Sequence, residues 1–99
     1  MRVKLSKGAK RELADAELRY DEAREGLGSE FYEAILRAIA EIAQYPRRWP
    51  KEQIDVRRFV MERFPYRIFY QVRKNEVVVV AIMHTSRFPG YWRRRVTKK

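Results

Sequence analysis

A chain of 99 residues that is 45% apolar can bury one core without covalent staples, and the expectation is a single domain. It has no cysteine and one histidine, His84, which excludes disulfides and leaves a structural zinc site short of ligands; no metal and no other cofactor is expected. The net charge of +10 is lopsided, because residues 1–45 carry eight Lys or Arg against nine Asp or Glu while residues 46–99 carry fifteen against four. A merely soluble surface mixes its signs, so the excess implies an anionic partner, either nucleic acid or an acidic protein segment.

The N-terminal stretch Met1 to Gly8 is charged and has no apolar h-region, and no stretch is long enough to span a bilayer. A cytoplasmic protein without membrane insertion is therefore expected. Within that stretch, Arg2-Val3-Lys4-Leu5 alternates charged and apolar residues, which suits a short edge strand, and Ser6 offers an N-cap for a following helix. From Lys7 to Leu27, Ala9, Leu13, Ala16, Tyr20, Ala23 and Leu27 recur at helical spacing as one stripe. Gly26-Leu27-Gly28 breaks this helix, and Ser29 is expected to cap the next.

The second helix is predicted over Glu30–Tyr45, with Phe31, Ile35, Ala38, Ile39 and Ile42 on one side and Tyr32 and Leu36 widening the stripe. Pro46 ends it, because proline pushes its predecessor out of helical geometry. The loop Arg47-Arg48-Trp49-Pro50-Lys51 is basic, and Trp49 can either cover the core edge or project from it. Ile54–Val60 then reads as a strand, with Ile54, Val56 and Arg58 on one face and Asp55, Arg57 and Phe59 on the other.

The segment Phe64–Trp92 organises the rest. Phe64–Val72 and Val77–Met83 are rich in β-branched and aromatic residues and are separated by Arg73-Lys74-Asn75-Glu76, so they read as an antiparallel hairpin. Val77–Met83 has no polar position, as a strand buried on both faces at the centre of a sheet requires. In the first arm Ile68, Tyr70 and Val72 point one way, and Arg67, Phe69 and Gln71 point to a face that can be wet and basic. The fold class is α+β: a strand, an αα-hairpin and a three-stranded antiparallel meander, with the helices on one face of the sheet and the other face free for function. The end of the chain, about residues 93–99, reads as a mobile cationic tail.

This order of elements, with Gly26-Leu27-Gly28 and Phe31 between the helices, Pro46, Arg57-Arg58, Phe64-Pro65-Tyr66, Tyr70 and His84-Thr85-Ser86-Arg87-Phe88-Pro89-Gly90-Tyr91-Trp92, resembles the ParE/RelE superfamily. These are toxins of bacterial type II toxin–antitoxin systems, once described as plasmid-stabilisation proteins. The resemblance covers nearly the whole chain and is closer to the ParE-like branch, which implies poisoning of DNA gyrase and neutralisation by a cognate antitoxin. RelE-like members instead cut mRNA on the ribosome with clustered basic residues. Arg58, Arg67 and Arg87 match positions of that set, whereas Val60 stands where a second lysine is expected and Tyr91-Trp92-Arg93 aligns loosely with a terminal tyrosine.

For binding a target or nucleic acid the resemblance points to Arg57, Arg58, Arg67, Arg87, Tyr91 and Trp92; if the chain is a nuclease, the catalytic candidates are Arg58, Arg67, His84 and Arg87. Arginine can stabilise a phosphate's charge but carries protons poorly, which leaves His84 as acid or base, or else as a structural residue ending a core strand. Tyr91 and Trp92 can plug the sheet edge or stack on bases. A family member without toxicity that binds nucleic acid is a further reading. Antitoxins of such systems lay an extended or helical, often acidic, segment over the toxin, which the basic half favours.

Overall fold

A computed structural model of the chain describes residues 1–88 and 90–97. Pro89 of the quoted motif and Lys98 and Lys99 of the expected tail lie outside the described residues. The elements are β1 (Arg2–Leu5), α1 (Lys7–Ala23), α2 (Leu27–Gln44), β2 (Arg57–Val60), β3 (Tyr66–Arg73) and β4 (Glu76–His84), followed by a 3-10 turn (Tyr91–Arg93) and a one-turn helix α3 (Arg94–Thr97). The fold is α+β, with a mixed four-stranded sheet in the order β1-β4-β3-β2. β1 lies parallel to β4 at one edge and β2 antiparallel to β3 at the other, so the apolar run Val77–Met83 of β4 is enclosed as its composition requires.

Ser6 caps α1, its hydroxyl accepting the Ala9 amide at 3.1 Å. The break after α1 differs from expectation at both ends. α1 stops at Ala23 and α2 already begins at Leu27, so Ser29 is inside the helix, and Gly26 at φ 88° is the N-cap. Asp21 supplies the cap's acceptor from the preceding helix, taking the amides of Gly26 at 3.2 Å and Gly28 at 2.9 Å on one oxygen. β2 likewise starts at Arg57 instead of Ile54, because Ile54 and Asp55 turn the chain with φ of 53° and 60°. The hairpin turn is the pair Lys74-Asn75, with Arg73 opposite Glu76.

The helices pack on one sheet face. Ala9 and Ala16 of α1 and Phe31, Ile35, Ala38 and Ile42 of α2 meet Ile68, Tyr70, Val77, Val79 and Ile82. Tyr20, Phe31, Phe64 and Tyr66 form an aromatic knot at one end of this core, Phe31 and Phe64 meeting edge to face at 5.1 Å. Tyr32 and Leu36, expected to widen the buried stripe, are exposed. Trp49 packs at the core edge against Phe59, ring centroids 4.9 Å apart.

The second sheet face is not free. Val56, Phe69, Val80, Ala81, Met83 and Trp92 form a second core over it, joined by Val78 and Val96. Phe69 and Gln71, read as belonging to a wet basic face, are buried there. The first residues of the expected tail are structured, because Tyr91–Val96 folds across this face, where burial of Trp92 outweighs the cost of ordering a few charged residues. Register explains the anchor for this segment. Between Phe69 and Tyr70 the β3–β4 pairing shifts, leaving Val80 opposite no residue. The Val80 carbonyl instead accepts Arg95 Nη1 at 2.8 Å and the Ser6 hydroxyl at 3.2 Å.

Candidate functional site

A cleft of about 300 Å³ opens where β4 ends, between that strand and α1. The end of the strand is set by backbone bonds, since the Thr85 amide donates to the Pro65 carbonyl at 2.8 Å and the Arg87 amide turns back onto the His84 carbonyl at 3.0 Å. One wall carries His84, Ser86, Arg87 and the buried Tyr66; the other carries Glu12, Asp15 and Arg19 from successive turns of α1. Arg19 Nη2 donates to the Tyr66 hydroxyl at 3.0 Å. The Arg19 guanidinium is held above its ordinary value by that bond first and by the charge of the Tyr66 oxygen next.

His84 stacks edge-on to Tyr66 at 5.3 Å, and its Nδ1 accepts the Ser86 amide at 3.0 Å with the Ser86 hydroxyl at 2.9 Å. A backbone amide can only donate, so Nδ1 is the acceptor and the neutral ring carries its proton on Nε2. Arg87 is exposed, lies over the Tyr91 ring at 4.6 Å and has no carboxylate partner among the described residues. Arg95 approaches the same ring at 5.3 Å, so two guanidinium groups contact Tyr91.

The remaining sequence candidates lie elsewhere. Arg58 and Arg67 are diagonal neighbours on the second sheet face, since Arg58 stands opposite Phe69 and Arg67 opposite Val60. Arg58 forms an ion pair with Glu52. The Nε atoms of Arg58 and Arg67 and the indole nitrogen of Trp92 are buried without hydrogen-bond partners among the described residues. Arg57 faces the helix side and is committed to backbone, donating to the Trp49 carbonyl at 2.7 Å and the Arg47 carbonyl at 3.2 Å. Trp92 is 2% exposed and lies 5.6 Å from Phe69, a position that serves the core.

The structure therefore brings together Arg87, His84 and Tyr91, keeps Arg58 with Arg67 on the second face, and separates Arg57 from both groups. Sequence reasoning missed Glu12, Asp15 and Arg19 because they belong to the charged exterior of an amphipathic helix. Their three- and four-residue spacing places them on one face, but nothing in the sequence says what that face meets. Chemically, the cleft offers fixed guanidinium charge and hydrogen-bond donors, suited to holding an anion. Among the described residues no group of three or more His, Cys, Asp or Glu is placed to hold a metal ion, and no helix is long and apolar enough to cross a membrane.

Comparison with known proteins agrees with this architecture. A chain described as "Chromosomal ParDE TA system from P. aeruginosa" superposes with a TM-score of 0.65 at 18% identity, covering 85% of this chain and 95% of its own, which establishes the shared fold. No curated protein matches the sequence. The sequence model described as "ParE toxin of type II toxin-antitoxin system, parDE" matches residues 3–89, which take in the helical pair and all of the sheet except Arg2. The chain belongs to the family of ParE toxins of type II toxin–antitoxin systems.

Proposed function

We propose that this ParE-family chain acts in the cytoplasm by poisoning DNA gyrase, and that a cognate antitoxin neutralises it by laying an acidic or amphipathic segment on its basic half. The observation that carries a binding role over a cleaving one is the dispersal of the would-be nuclease set. RNA cleavage needs a base, a charge stabiliser and an acid converging on one phosphate. Here Arg58 is paired with Glu52, and His84 lies on the sheet face opposite to Arg58 and Arg67. What remains available is Arg87 beside the exposed Tyr91, a surface for contact.

Induced expression in bacteria with two simultaneous readouts tests the proposal. Early change in DNA supercoiling or SOS induction, with protein synthesis intact, is the expected result. Immediate loss of translation with cleaved messages overturns it in favour of a ribosome-dependent mRNA endonuclease built on Arg58, Arg67 and Arg87. Normal growth leaves a binding protein without toxicity.

A further inference from the structure

We infer that the cleft at the end of β4 captures a single carboxylate side chain from an acidic protein segment, with Arg87, Arg19, His84 and Tyr66 as its donors. This inference rests on the reading that an acidic antitoxin segment docks on the toxin. The direction of each hydrogen bond already present fixes what the cleft has left to offer. Because Arg19 donates to the Tyr66 oxygen, the Tyr66 hydroxyl proton is free to donate elsewhere. Because the Ser86 amide donates to Nδ1 of His84, the Nε2 proton is the ring's free group. Arg87 contributes guanidinium donors that no carboxylate occupies among the described residues, and stacking on Tyr91 limits the conformations it must give up on binding. All four side chains line one cleft.

The charge balance selects the ligand. Glu12 is neutralised by Arg95, with contacts of 2.8 and 3.1 Å. Asp15 acts electrostatically on Arg19. One positive charge, that of Arg87, is left over, which matches one carboxylate. A nucleic-acid strand would bring a row of phosphates to the cleft, more negative charge than the one arginine left over can offset. A single acidic side chain on a peptide brings one negative charge, which Arg87 offsets, and the arginine fork suits its geometry.

His84 is the chain's one histidine, so its ring-proton NMR signals report unambiguously on the site. The full chain is titrated with a short acetylated Glu-Ala repeat peptide, with its Gln-Ala counterpart and with a short oligodeoxythymidylate. The expected result is a saturable shift of the His84 signals with the Glu peptide, none with the Gln peptide, and weaker binding of the oligonucleotide. Arg87→Gln and Arg19→Gln weaken the Glu peptide about tenfold or more. Arg48→Gln, which removes the same charge from the basic loop outside the cleft, leaves it unchanged.

Three results overturn the inference: no saturable shift, equal weakening by Arg48→Gln, or tighter binding of the oligonucleotide than of the Glu peptide. The gyrase reading is scored separately by the supercoiling readout. A chain that binds the peptide through Arg87 but leaves supercoiling unchanged overturns the gyrase reading alone, and a gyrase poison without Arg87-dependent peptide binding overturns this inference alone.

Discussion

Glu12 and Arg95, 83 positions apart, form a two-pronged ion pair that fastens the end of the described chain to the first helix. Arg95 Nη2 donates to Glu12 Oε2 at 2.8 Å and Nη1 to Oε1 at 3.1 Å. Oε1 also accepts the Ile82 amide at 2.9 Å, just beyond the point where β1 stops pairing with β4. One carboxylate thus satisfies a strand amide and neutralises a half-buried arginine, and the pair holds the Arg95 guanidinium above its ordinary value.

Removing one partner leaves the other half-buried and unpaired. Glu12→Gln is expected to cost about 1–3 kcal/mol in urea unfolding, and Arg95→Gln a similar amount. The double variant should lose less than the sum, by roughly 0.5 kcal/mol or more, because the second substitution removes a group already stranded. Strict additivity would show that the two side chains do not act as a pair.

The two glycines between the helices make a second comparison. Gly26 has φ 88° and nothing near the place of a Cβ, so Gly26→Ala meets only the cost of left-handed backbone, about 1 kcal/mol. At Gly28 a Cβ would collide with the Glu17 carbonyl and crowd the Asp21 carboxylate that caps the helix. Gly28→Ala must push α1 and α2 apart, and a larger loss, about 2–3 kcal/mol, is expected. Thermal unfolding of the two variants side by side checks the ranking; the reverse order would mean that the helix approach is not tight.

Elements whose period is carried by apolar residues were legible in the sequence: most of both helix stripes, the enclosed Val77–Met83 run and the Lys74-Asn75 reversal, although Ala23, Tyr32 and Leu36 are exposed. What escaped was what depends on a distant partner. Ser29 has the chemistry of a cap, but Asp21 does the capping from the previous helix. Ile54 and Asp55 have left-handed backbone that neither side chain announces. Arg93-Arg94-Arg95 reads as a solvated run until Glu12 and the unregistered Val80 carbonyl are brought beside it. At the candidate site the strand-exit residues His84 and Arg87 could be named beforehand, whereas the facing wall of α1 could not.

Tyr70 supplies a pH dependence. It is fully buried, its hydroxyl donates to the Pro46 carbonyl at 2.8 Å, and burial pushes its pKa from 10.0 up to about 12. A folded-state value raised above the unfolded one contributes stability that is fully present below the unfolded pKa and is lost as pH rises through the folded one. Stability should therefore fall between pH 10.0 and about 12, by on the order of 2 to 3 kcal/mol from this residue. Tyr20, also raised by burial, acts in the same direction. Tyr70→Phe should be less stable at neutral pH, by about 1 kcal/mol for the lost hydrogen bond, and should lose less on going alkaline. An unchanged alkaline slope in Tyr70→Phe would assign the loss to other groups.

Arg87 and Arg67 test whether the exposed cation or the sheet face carries toxicity. Arg87 is exposed and its guanidinium lies over the Tyr91 ring, so Arg87→Ala should change stability by no more than about 0.5 kcal/mol. Arg67 is half-buried beside Val60 and Met83, and its stem covers apolar surface, so Arg67→Ala should cost roughly 1 kcal/mol and still leave a folded chain. Both variants are expected to weaken growth arrest on induction at protein levels matched to the parent chain. Arg87→Ala should have the larger effect, because its guanidinium needs no rearrangement to reach a partner, whereas the Nε of Arg67 is enclosed. Matched levels matter, since a destabilised toxin loses activity through abundance alone. If both folded variants arrest growth as fully as the parent, neither side chain belongs to the target-binding surface, and Tyr91, 42% exposed and in contact with two guanidinium groups, becomes the next residue to substitute.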